Sequence, residues 1–242
     1  MPGSELLFPD VGLDGVSIAV TTRQKVGRSL SLDTSGTFGG FNLAGHVGDD
    51  PQRVAANRKL LSDRLNLAAQ PVWLEQVHGN EVVVVSSPTT QVPTADASIT
   101  TQPKLPLAIL TADCLPIVIW DESHHRVAAL HAGWRGLANG IIERVMTHFE
   151  GKSVYVWIGP GIGPCHYEVD AAVRESFTSS EAFKNSRPGH YRFDLAAEAR
   201  RQFRQLGVSH IKDMQVCTAC DERFYSYRRD GETGRFATLA WL

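Results

Sequence analysis

The chain lacks an excess of charge of either sign. Its 242 residues include 24 lysine and arginine residues against 26 aspartate and glutamate residues, for a formal net charge of −2. Such a balance gives no global positive field for nucleic acid or for an anionic membrane, so any anion must be held by a local site. We therefore expect a small-molecule substrate, and neither nucleic acid nor a membrane as a partner.

Long apolar runs are also lacking. The longest stretch, 105–120, is interrupted by Asp113 and by two prolines, and it is too short to span a bilayer. The N-terminal residues show no basic region, apolar region and cleavage site of the kind that marks a signal peptide, which argues against secretion. The sequence therefore predicts a cytoplasmic protein.

Cysteine is scarce, and a disulfide scaffold is not expected from four cysteines in a chain of this length: Cys114, Cys165, Cys217 and Cys220. These residues should be free thiols or metal ligands. What the chain does contain is ordinary for a globular protein, with 43% hydrophobic and 21% charged residues. Because no repeat and no long linker divides it, we expect one domain over 1–242.

Short patterns predict mixed secondary structure. Helices are expected at 51–65, from 136 to about 149, and from Asp194 to Gly207. Strands are expected at 16–23, at 105–120 with an interruption at 111–116, at 126–130 and at 154–158. Two hairpins are predicted, one joining 72–77 to 81–85 through a tight turn at 78–80 and one joining 224–229 to 235–241. Because strands and helices do not alternate strictly, we predict an α+β fold, a single layered domain of mixed β-sheet with flanking helices.

Three potential metal ligands lie at strand ends or turns beside small residues: His78, Cys114 and His131. Two imidazoles and one thiolate suit Zn²⁺. Three protein ligands leave a fourth position open, as in catalytic zinc sites, whereas a non-enzymatic zinc-stabilised module would need a fourth ligand and a closed site. Taken singly, each histidine is more often a surface or hydrogen-bonded residue, and Cys114 a small core residue. A further alternative makes Cys114 a nucleophile paired with histidine.

Two other cysteine motifs are weaker. Cys217-Thr-Ala-Cys220 has no visible second pair for a zinc ribbon and no thioredoxin-like setting, so a structural role is favoured. Cys165 and His166 could form a nucleophile–base pair, but adjacent residues of a strand point apart, which argues against it. The run 159–163 is rich in glycine, yet its prolines argue against a nucleotide-binding loop.

Anion binding has two arginine candidates. Arg135 is expected at the start of the helix after His131, where free N–H groups favour a phosphate or carboxylate. Arg58, on the helix that begins at Pro51, could face the same cleft or could lie on a solvated helix face. Arg228 and Arg229 are successive residues of a predicted strand, so only one of them should face a given side.

Five further motifs occur in this order: Val77-His-Gly79, Thr111-Ala-Asp-Cys-Leu-Pro116, His131-Ala-Gly-Trp-Arg-Gly136, Ile158-Gly-Pro-Gly-Ile-Gly-Pro164 and Ser226-Tyr-Arg-Arg-Asp230. Together they resemble the YfiH/YlmD laccase-domain family. The segment Pro71-Val-Trp-Leu-Glu-Gln-Val-His-Gly79 looks particularly like the bacterial branch that includes the peptidoglycan editing factor. The resemblance implies a monomer that holds zinc, with copper as the alternative metal, at the matching positions His78, Cys114 and His131. It also implies that these three residues and Gln76 serve catalysis, and that Asn42, Arg58 and Arg135 bind substrate and phosphate.

The resemblance further implies a purine nucleoside enzyme. Its reactions would be phosphorolysis of adenosine, inosine and methylthioadenosine, with adenosine deamination as a second activity. One alternative is removal of L-Ser from UDP-MurNAc-L-Ser, and another is a copper polyphenol oxidase. The oxidase fits poorly, because a multicopper site needs many paired histidines and the nine histidines here include no His-x-His.

The sequence also lacks the signature of the zinc cytidine deaminases. Glu75, the nearest proton carrier, alternates away from Gln76 and is expected to face outward.

Overall fold

The computed structural model describes residues 6–9, 15–24, 37–123 and 125–242. Its helices are α1 (Pro51–Arg64), α2 (Trp134–Ala138), α3 (Ile141–Met146), α4 (Ala171–Glu175), α5 (Leu195–Gln205) and α6 (Tyr227–Asp230), with a 3-10 turn at Thr147–Phe149. Its strands are β1 (Leu6–Leu7), β2 (Ser17–Thr21), β3 (Val82–Val84), β4 (Ala97–Thr100), β5 (Leu107–Thr111), β6 (Leu115–Asp121), β7 (Val127–Ala132), β8 (Val154–Ile158), β9 (Glu168–Asp170), β10 (Phe183–Asn185), β11 (His190–Phe193), β12 (His210–Asp213) and β13 (Phe236–Trp241).

Two larger sheets and one small sheet organise these strands. The six-stranded sheet has the order β12-β8-β6-β7-β4-β3, and the four-stranded sheet has the order β1-β2-β13-β5. The small sheet, β10-β11-β9, is antiparallel. In the six-stranded sheet β12 pairs with β8 and β3 with β4 in parallel, while the other pairs are antiparallel. The predicted α+β class with a mixed sheet is confirmed.

The core lies on both faces of the six-stranded sheet. Because side chains alternate along a strand, Ile117 and Ile119 of β6 join the core cluster that contains residues of α2, α3 and α5. Val118 and Trp120 face the opposite way and join the cluster that includes residues of β2, β5 and β13. A third cluster places Leu61 of α1 with other residues of β5 and β13, so helices flank the paired sheets on both sides.

Two predicted helices begin where their capping residues indicated. The Asp50 carboxylate accepts the backbone N–H of Gln52 at the start of α1, with Pro51 as the first helical residue. Asp194 caps α5 in the same way, and Gly207 follows its end at φ +82°. The helix predicted after His131 is divided instead, because Gly140 adopts φ +77° between α2 and α3.

Both predicted hairpins are wrong. Segment 72–77 forms only isolated parallel bridges, from Val72 to Leu107 and from Glu75 to Thr94, and β3 pairs with β4. At the other end of the chain, Ser226 caps the short helix α6, where a strand was expected. Strand β13 then pairs with β2 and β5, which lie far earlier in the sequence.

The run 105–120 is two strands, as its interruption suggested, but they belong to different sheets. β5 lies in the four-stranded sheet and β6 in the six-stranded sheet, so residues 112–114 cross from one to the other. Each helix in the described part of the chain is too short or too polar to span a bilayer.

Candidate metal centre and cavity

The segment that connects the two sheets, 112–114, contains one residue with a strained backbone conformation. Asp113 has φ +98°, a region that residues other than glycine rarely adopt. Its carboxylate accepts hydrogen bonds from Thr218 Oγ1 at 2.6 Å and from the backbone N–H of Arg228 at 2.7 Å. Its carbonyl accepts from the N–H of Ile162. These bonds fix Cys114, the next residue, at the junction of the sheets, and such local strain is typical of functional sites.

The structure brings His78, Cys114 and His131 together. The potential ligand atoms of these residues lie within 4.8 Å of one another, and the centroids of the two imidazole rings are 4.7 Å apart. His131 is buried, Cys114 is half-buried and His78 is exposed, so the group opens toward solvent on one side. This donor set fits Zn²⁺ with one open position.

A buried carboxylate supports two of these residues. Asp96 Oδ1 lies 2.8 Å from Nδ1 of His131, so the other ring nitrogen of His131 is left for a metal. The Asp96 carboxylate also accepts the backbone N–H groups of Val77, His78 and Gly79. The loop at 77–79 therefore wraps around Asp96, which stabilises His78 at φ +60°. This loop is not the tight hairpin turn that the sequence suggested.

Gly133 leaves room beside the thiol. A Cβ atom at this position would lie 2.8 Å from Cys114 Sγ and 3.3 Å from Cδ2 of His78. Any side chain there would push against both residues. The absence of a side chain at 133 is therefore a steric requirement of the three-residue group.

The electrostatics of the group favour a thiolate. Burial raises the pKa of Cys114, but the charge of His131 and hydrogen bonds from His131 and His78 lower it to about 6. Burial lowers the pKa of His131, whereas the Cys114 thiolate and the Asp96 carboxylate raise it to about 9. Between these values the free chain holds a thiolate beside an imidazolium, and a bound cation would take the place of the imidazolium proton.

A cavity of about 390 Å³ opens beside the group, which is within the size range of small-molecule sites. Three arginines, Arg135, Arg228 and Arg235, line this cavity with His78, Cys114 and His131. The remaining lining residues are His46, Gln76, Leu110, Thr111, Ala112, Asp113, Trp134, Ile162, Tyr167 and Tyr227. One cavity thus combines soft metal ligands with three cations.

The predicted substrate residues occupy different places. Apart from the three candidate metal ligands, two predicted residues line the cavity: Gln76, expected to serve catalysis, and Arg135, expected to bind phosphate. Asn42 and Arg58 are not among the lining residues. Gln76 uses both ends of its amide on the backbone of Leu110 in β5. Arg58 donates to the carbonyl of Leu43 and lies over the ring of Trp73.

Asn42 does not line the cavity, but it bonds to Arg235, which does. Its side-chain oxygen accepts the backbone N–H of Arg235 at 2.9 Å, and its amide nitrogen donates to Asp49 and to the carbonyl of Ala44. Asn42 therefore positions Arg235 directly before β13. Direct substrate binding by Asn42 or Arg58 stays a prediction.

Sequence reasoning missed Asp96 and Arg235. Asp96 is an isolated acidic residue directly before the buried strand β4, and this position was the available signal. Arg235 reaches the cavity only because β13 pairs with distant strands, which no local pattern reveals. As expected, Glu75 is exposed; it is not among the lining residues of the cavity, and its carboxylate accepts a hydrogen bond from Thr94.

The prediction that Cys165 and His166 point apart is wrong. Residues 163–167 form a turn in which the N–H groups of His166 and Tyr167 both bond to the carbonyl of Gly163. His166 Nδ1 therefore lies 3.3 Å from Cys165 Sγ. The same turn meets Cys217 and Cys220, giving a second group of four potential ligands.

Comparison with known sequences agrees with this architecture. A sequence profile described as multi-copper polyphenol oxidoreductase laccase matches residues 17–242. A purine nucleoside phosphorylase of Pseudomonas aeruginosa is 44% identical over 85% of this chain and 87% of its own length. The purine nucleoside phosphorylase YfiH of Shigella flexneri is 40% identical over 99% of both chains.

Solved structures show the same fold. A Neisseria meningitidis protein of the DUF152 family has a TM-score of 0.90 and 33% identity, with 99% of each chain covered. YlmD from Geobacillus stearothermophilus has a TM-score of 0.86 and 34% identity, covering 94% of this chain and 92% of its own. The chain therefore belongs to the YfiH/YlmD family of laccase-like domain proteins.

Proposed function

We propose that this chain is a zinc-dependent purine nucleoside phosphorylase that acts on adenosine, inosine and methylthioadenosine. The single observation that carries the proposal is the cavity in which His78, Cys114 and His131 share one space with three arginines. Relatives of nearly full length are named purine nucleoside phosphorylases, which supports the same reaction.

Phosphorolysis requires an anion site and support for a cationic sugar. A phosphate oxygen forms a bond to C1′ of the ribose while the bond from C1′ to the base nitrogen breaks. The electron pair of that bond goes to the base, which takes up a proton. The products are the free base and ribose 1-phosphate, or methylthioribose 1-phosphate when the substrate is methylthioadenosine. Charged donors placed in a cavity stabilise the phosphate without reorganisation during the reaction.

The three arginines are suited to that anion. Arg135 is exposed at the cavity mouth, with its guanidinium stacked on Trp134. Arg235 is half-buried, and burial lowers its pKa. The Arg228 guanidinium donates hydrogen bonds to the backbone carbonyls of His166 and Glu168. We assign phosphate binding first to Arg135, whose guanidinium makes no hydrogen bond to the backbone among the described residues. We assign it second to Arg235, which is half-buried in the cavity and uses only Nη1 on the carbonyls of Thr233 and Gly234.

Two uncharged side chains of the cavity lining, those of Tyr167 and His46, can form hydrogen bonds with the nucleoside. Burial and the negative charge on Cys114 raise the pKa of Tyr167, so its hydroxyl keeps its proton at neutral pH. Burial and the charge of Arg235 lower the pKa of His46, which leaves its imidazole neutral and able to accept a hydrogen bond. These two residues can orient a purine or ribose beside the arginines.

His78, Cys114 and His131 would hold the zinc ion. When bound, the ion supplies a Lewis acid that polarises an oxygen or nitrogen atom at neutral pH. Deamination of adenosine, in which water replaces the amino group of the base, would be a second reaction of the same cavity.

The copper oxidase alternative fits this cavity poorly. Reduction of O₂ by four electrons needs several copper ions held by many histidines. Within the described residues, the two groups of potential ligands contain three histidines in total, and the second group is dominated by cysteine. The potential ligands of the described residues therefore do not suit the multicopper oxidase that the family description names.

A substrate panel tests the proposal. Purified protein would be incubated with adenosine, inosine, methylthioadenosine, UDP-MurNAc-L-Ser or a phenol under air, each with and without phosphate. We expect free base to appear only when nucleoside and phosphate are both present. Serine release without nucleoside turnover would instead identify the peptidoglycan precursor as substrate, and O₂ consumption with the phenol would identify an oxidase.

A further inference from the structure

A second cluster of metal-ligand side chains lies outside the cavity lining described above for His78, Cys114 and His131. It consists of Cys165 and His166 from the turn at 163–167, and Cys217 and Cys220 from the loop that follows β12. One potential ligand atom from each residue lies within 4.8 Å of all the others. We propose that these four residues bind a second zinc ion, as a structural site.

The distances agree with a tetrahedral site. Zinc–sulfur bonds of about 2.3 Å and zinc–nitrogen bonds of about 2.0–2.1 Å give edges of about 3.8 Å between sulfurs and about 3.6 Å between sulfur and nitrogen. Cys165 Sγ lies 3.5 Å from Cys217 Sγ and 3.6 Å from Cys220 Sγ. His166 Nδ1 lies 3.3 Å from the sulfurs of Cys165 and Cys220 and 3.9 Å from that of Cys217.

The ligand number and the local backbone indicate a structural role. Three cysteines and one histidine complete a tetrahedron, which leaves no open position for substrate. The backbone N–H of Gly163 donates to Cys217 Sγ at 3.2 Å, and such outer bonds orient metal ligands. Two N–H groups, of Cys220 and Asp221, bond to the carbonyl of Cys217 and shape the turn between the two cysteines.

Nearby cations suit the charge of such a site. Three thiolates and one Zn²⁺ carry a net charge of −1. The Arg192 guanidinium donates to the carbonyl of Cys165 at 3.0 Å, and that of Arg228 donates to the carbonyl of His166 at 3.0 Å. Both arginines therefore lie on the backbone that bears two of the ligands.

The cluster joins a loop that contributes to the cavity wall to a second loop that supports that wall. Tyr167, next to His166, lines the cavity. Thr218, next to Cys217, bonds to the carboxylate of Asp113, the residue before Cys114. An ion held by both loops would fix this wall, and it would do so whichever reaction the cavity performs.

A disulfide is the competing state of the same thiols. It would require two sulfurs at about 2.05 Å, and it would leave His166 and one cysteine without a role. The convergence of all four groups favours the metal.

Metal stoichiometry tests the proposal. The full chain would be purified under reducing conditions without added metal, and zinc would be measured by plasma mass spectrometry. We expect two zinc ions per chain in the wild type and one in Cys220→Ser. Cys114→Ser serves as the matched control, because it also removes one thiol and should lose the other ion. His166→Cys should keep two ions, since four thiolates also bind zinc.

X-ray absorption on Cys114→Ser supplies a measurement that does not depend on Cys220→Ser folding. The remaining zinc should have three sulfur neighbours and one nitrogen neighbour. A folded Cys114→Ser chain without zinc would overturn the proposal, as would a zinc content that Cys220→Ser leaves at the wild-type level. A disulfide between two of these cysteines in the intact mass of the reduced preparation would also overturn it.

Discussion

Asp96 Oδ1 lies 2.8 Å from Nδ1 of His131, and the same carboxylate accepts the backbone N–H of His78. One buried side chain therefore orients two of the three candidate metal ligands. The hydrogen bond fixes which ring nitrogen of His131 faces the site, and the backbone bonds hold the loop that carries His78. Although burial raises the pKa of Asp96, bonding to His131 and to the backbone holds it below its usual value. The carboxylate is therefore ionised at neutral pH.

Asp96→Asn tests this support. The amide keeps one acceptor oxygen but presents an N–H group where the carboxylate accepts hydrogen bonds. We expect zinc affinity at the three-residue group to fall by about 10- to 100-fold, the usual effect of losing such a partner. Competition with a zinc-binding dye would measure it. Glu75→Gln, an exposed carboxylate bonded to Thr94, is the matched control and should leave affinity unchanged. Equal affinities in Asp96→Asn and the wild type would contradict the role of Asp96.

Gly133→Ala tests the space beside the thiol. Because the added Cβ would lie 2.8 Å from Cys114 Sγ, the sulfur must shift or the loop must open. We expect loss of metal from this group with little change in far-UV circular dichroism. Gly45→Ala, which has open space around it, should keep its metal. A Gly133→Ala variant with full metal content and full activity would refute the steric argument.

The sequence predicted helix starts well because capping is local. Asp50 before Pro51, and Asp194 before α5, supply the acceptor that a helix start needs within a few residues. Strand partners depend on distant residues, and both hairpin predictions failed for that reason. Strand β13 follows a turn-rich segment, yet its partners β2 and β5 lie far earlier in the chain.

The same distinction applies to the site. His78, Cys114 and His131 could be selected because each lies at a strand end or turn beside small residues, and the motifs resembled a family. Asp96 and Arg235 join them through long-range pairing, which one sequence does not reveal. The prediction that Cys165 and His166 point apart is wrong because it requires a strand, and the chain turns at 163–167.

Cys114 should be reactive over an unusual pH range when the chain is freed of metal. Because the charge of His131 helps to lower its pKa to about 6, the thiol should be mostly thiolate at pH 7. Alkylation followed by peptide mass spectrometry should rise with pH through a midpoint near 6. His131→Gln should move that midpoint upward. A midpoint in the ordinary thiol range, about 8.5, would contradict the thiolate–imidazolium pair.

The three ligands should behave as one unit. Cys114→Ser, His78→Ala and His131→Ala should each lose the ion of this group and the activity together. Bound zinc should protect Cys114 from alkylation in the wild type, and chelation should remove both the protection and the activity. If Cys114→Ser kept this zinc and lost only activity, or if substrate were trapped covalently on Cys114, the cysteine would be a nucleophile.

Arg235→Gln and Arg135→Ala test the anion site. Each removes a charged donor, and such hydrogen bonds contribute about 1.5–3 kcal/mol, so the KM for phosphate should rise by about 10- to 100-fold. The KM for nucleoside should change far less. Arg144→Gln, on the surface of α3 and paired with Glu81, is the control and should change neither constant. An unchanged phosphate KM in both cavity variants would place the anion elsewhere.

Phosphorus NMR of the complete reaction tests whether this chain is a zinc-dependent phosphorylase. Inosine and phosphate would be incubated with zinc-loaded protein while hypoxanthine is followed in the same tube. We expect one ribose 1-phosphate formed and one inorganic phosphate consumed for each base released, and no reaction after chelation or with Cys114→Ser. Base released with the phosphate signal unchanged, or turnover that continues undiminished without metal, would contradict the proposed function.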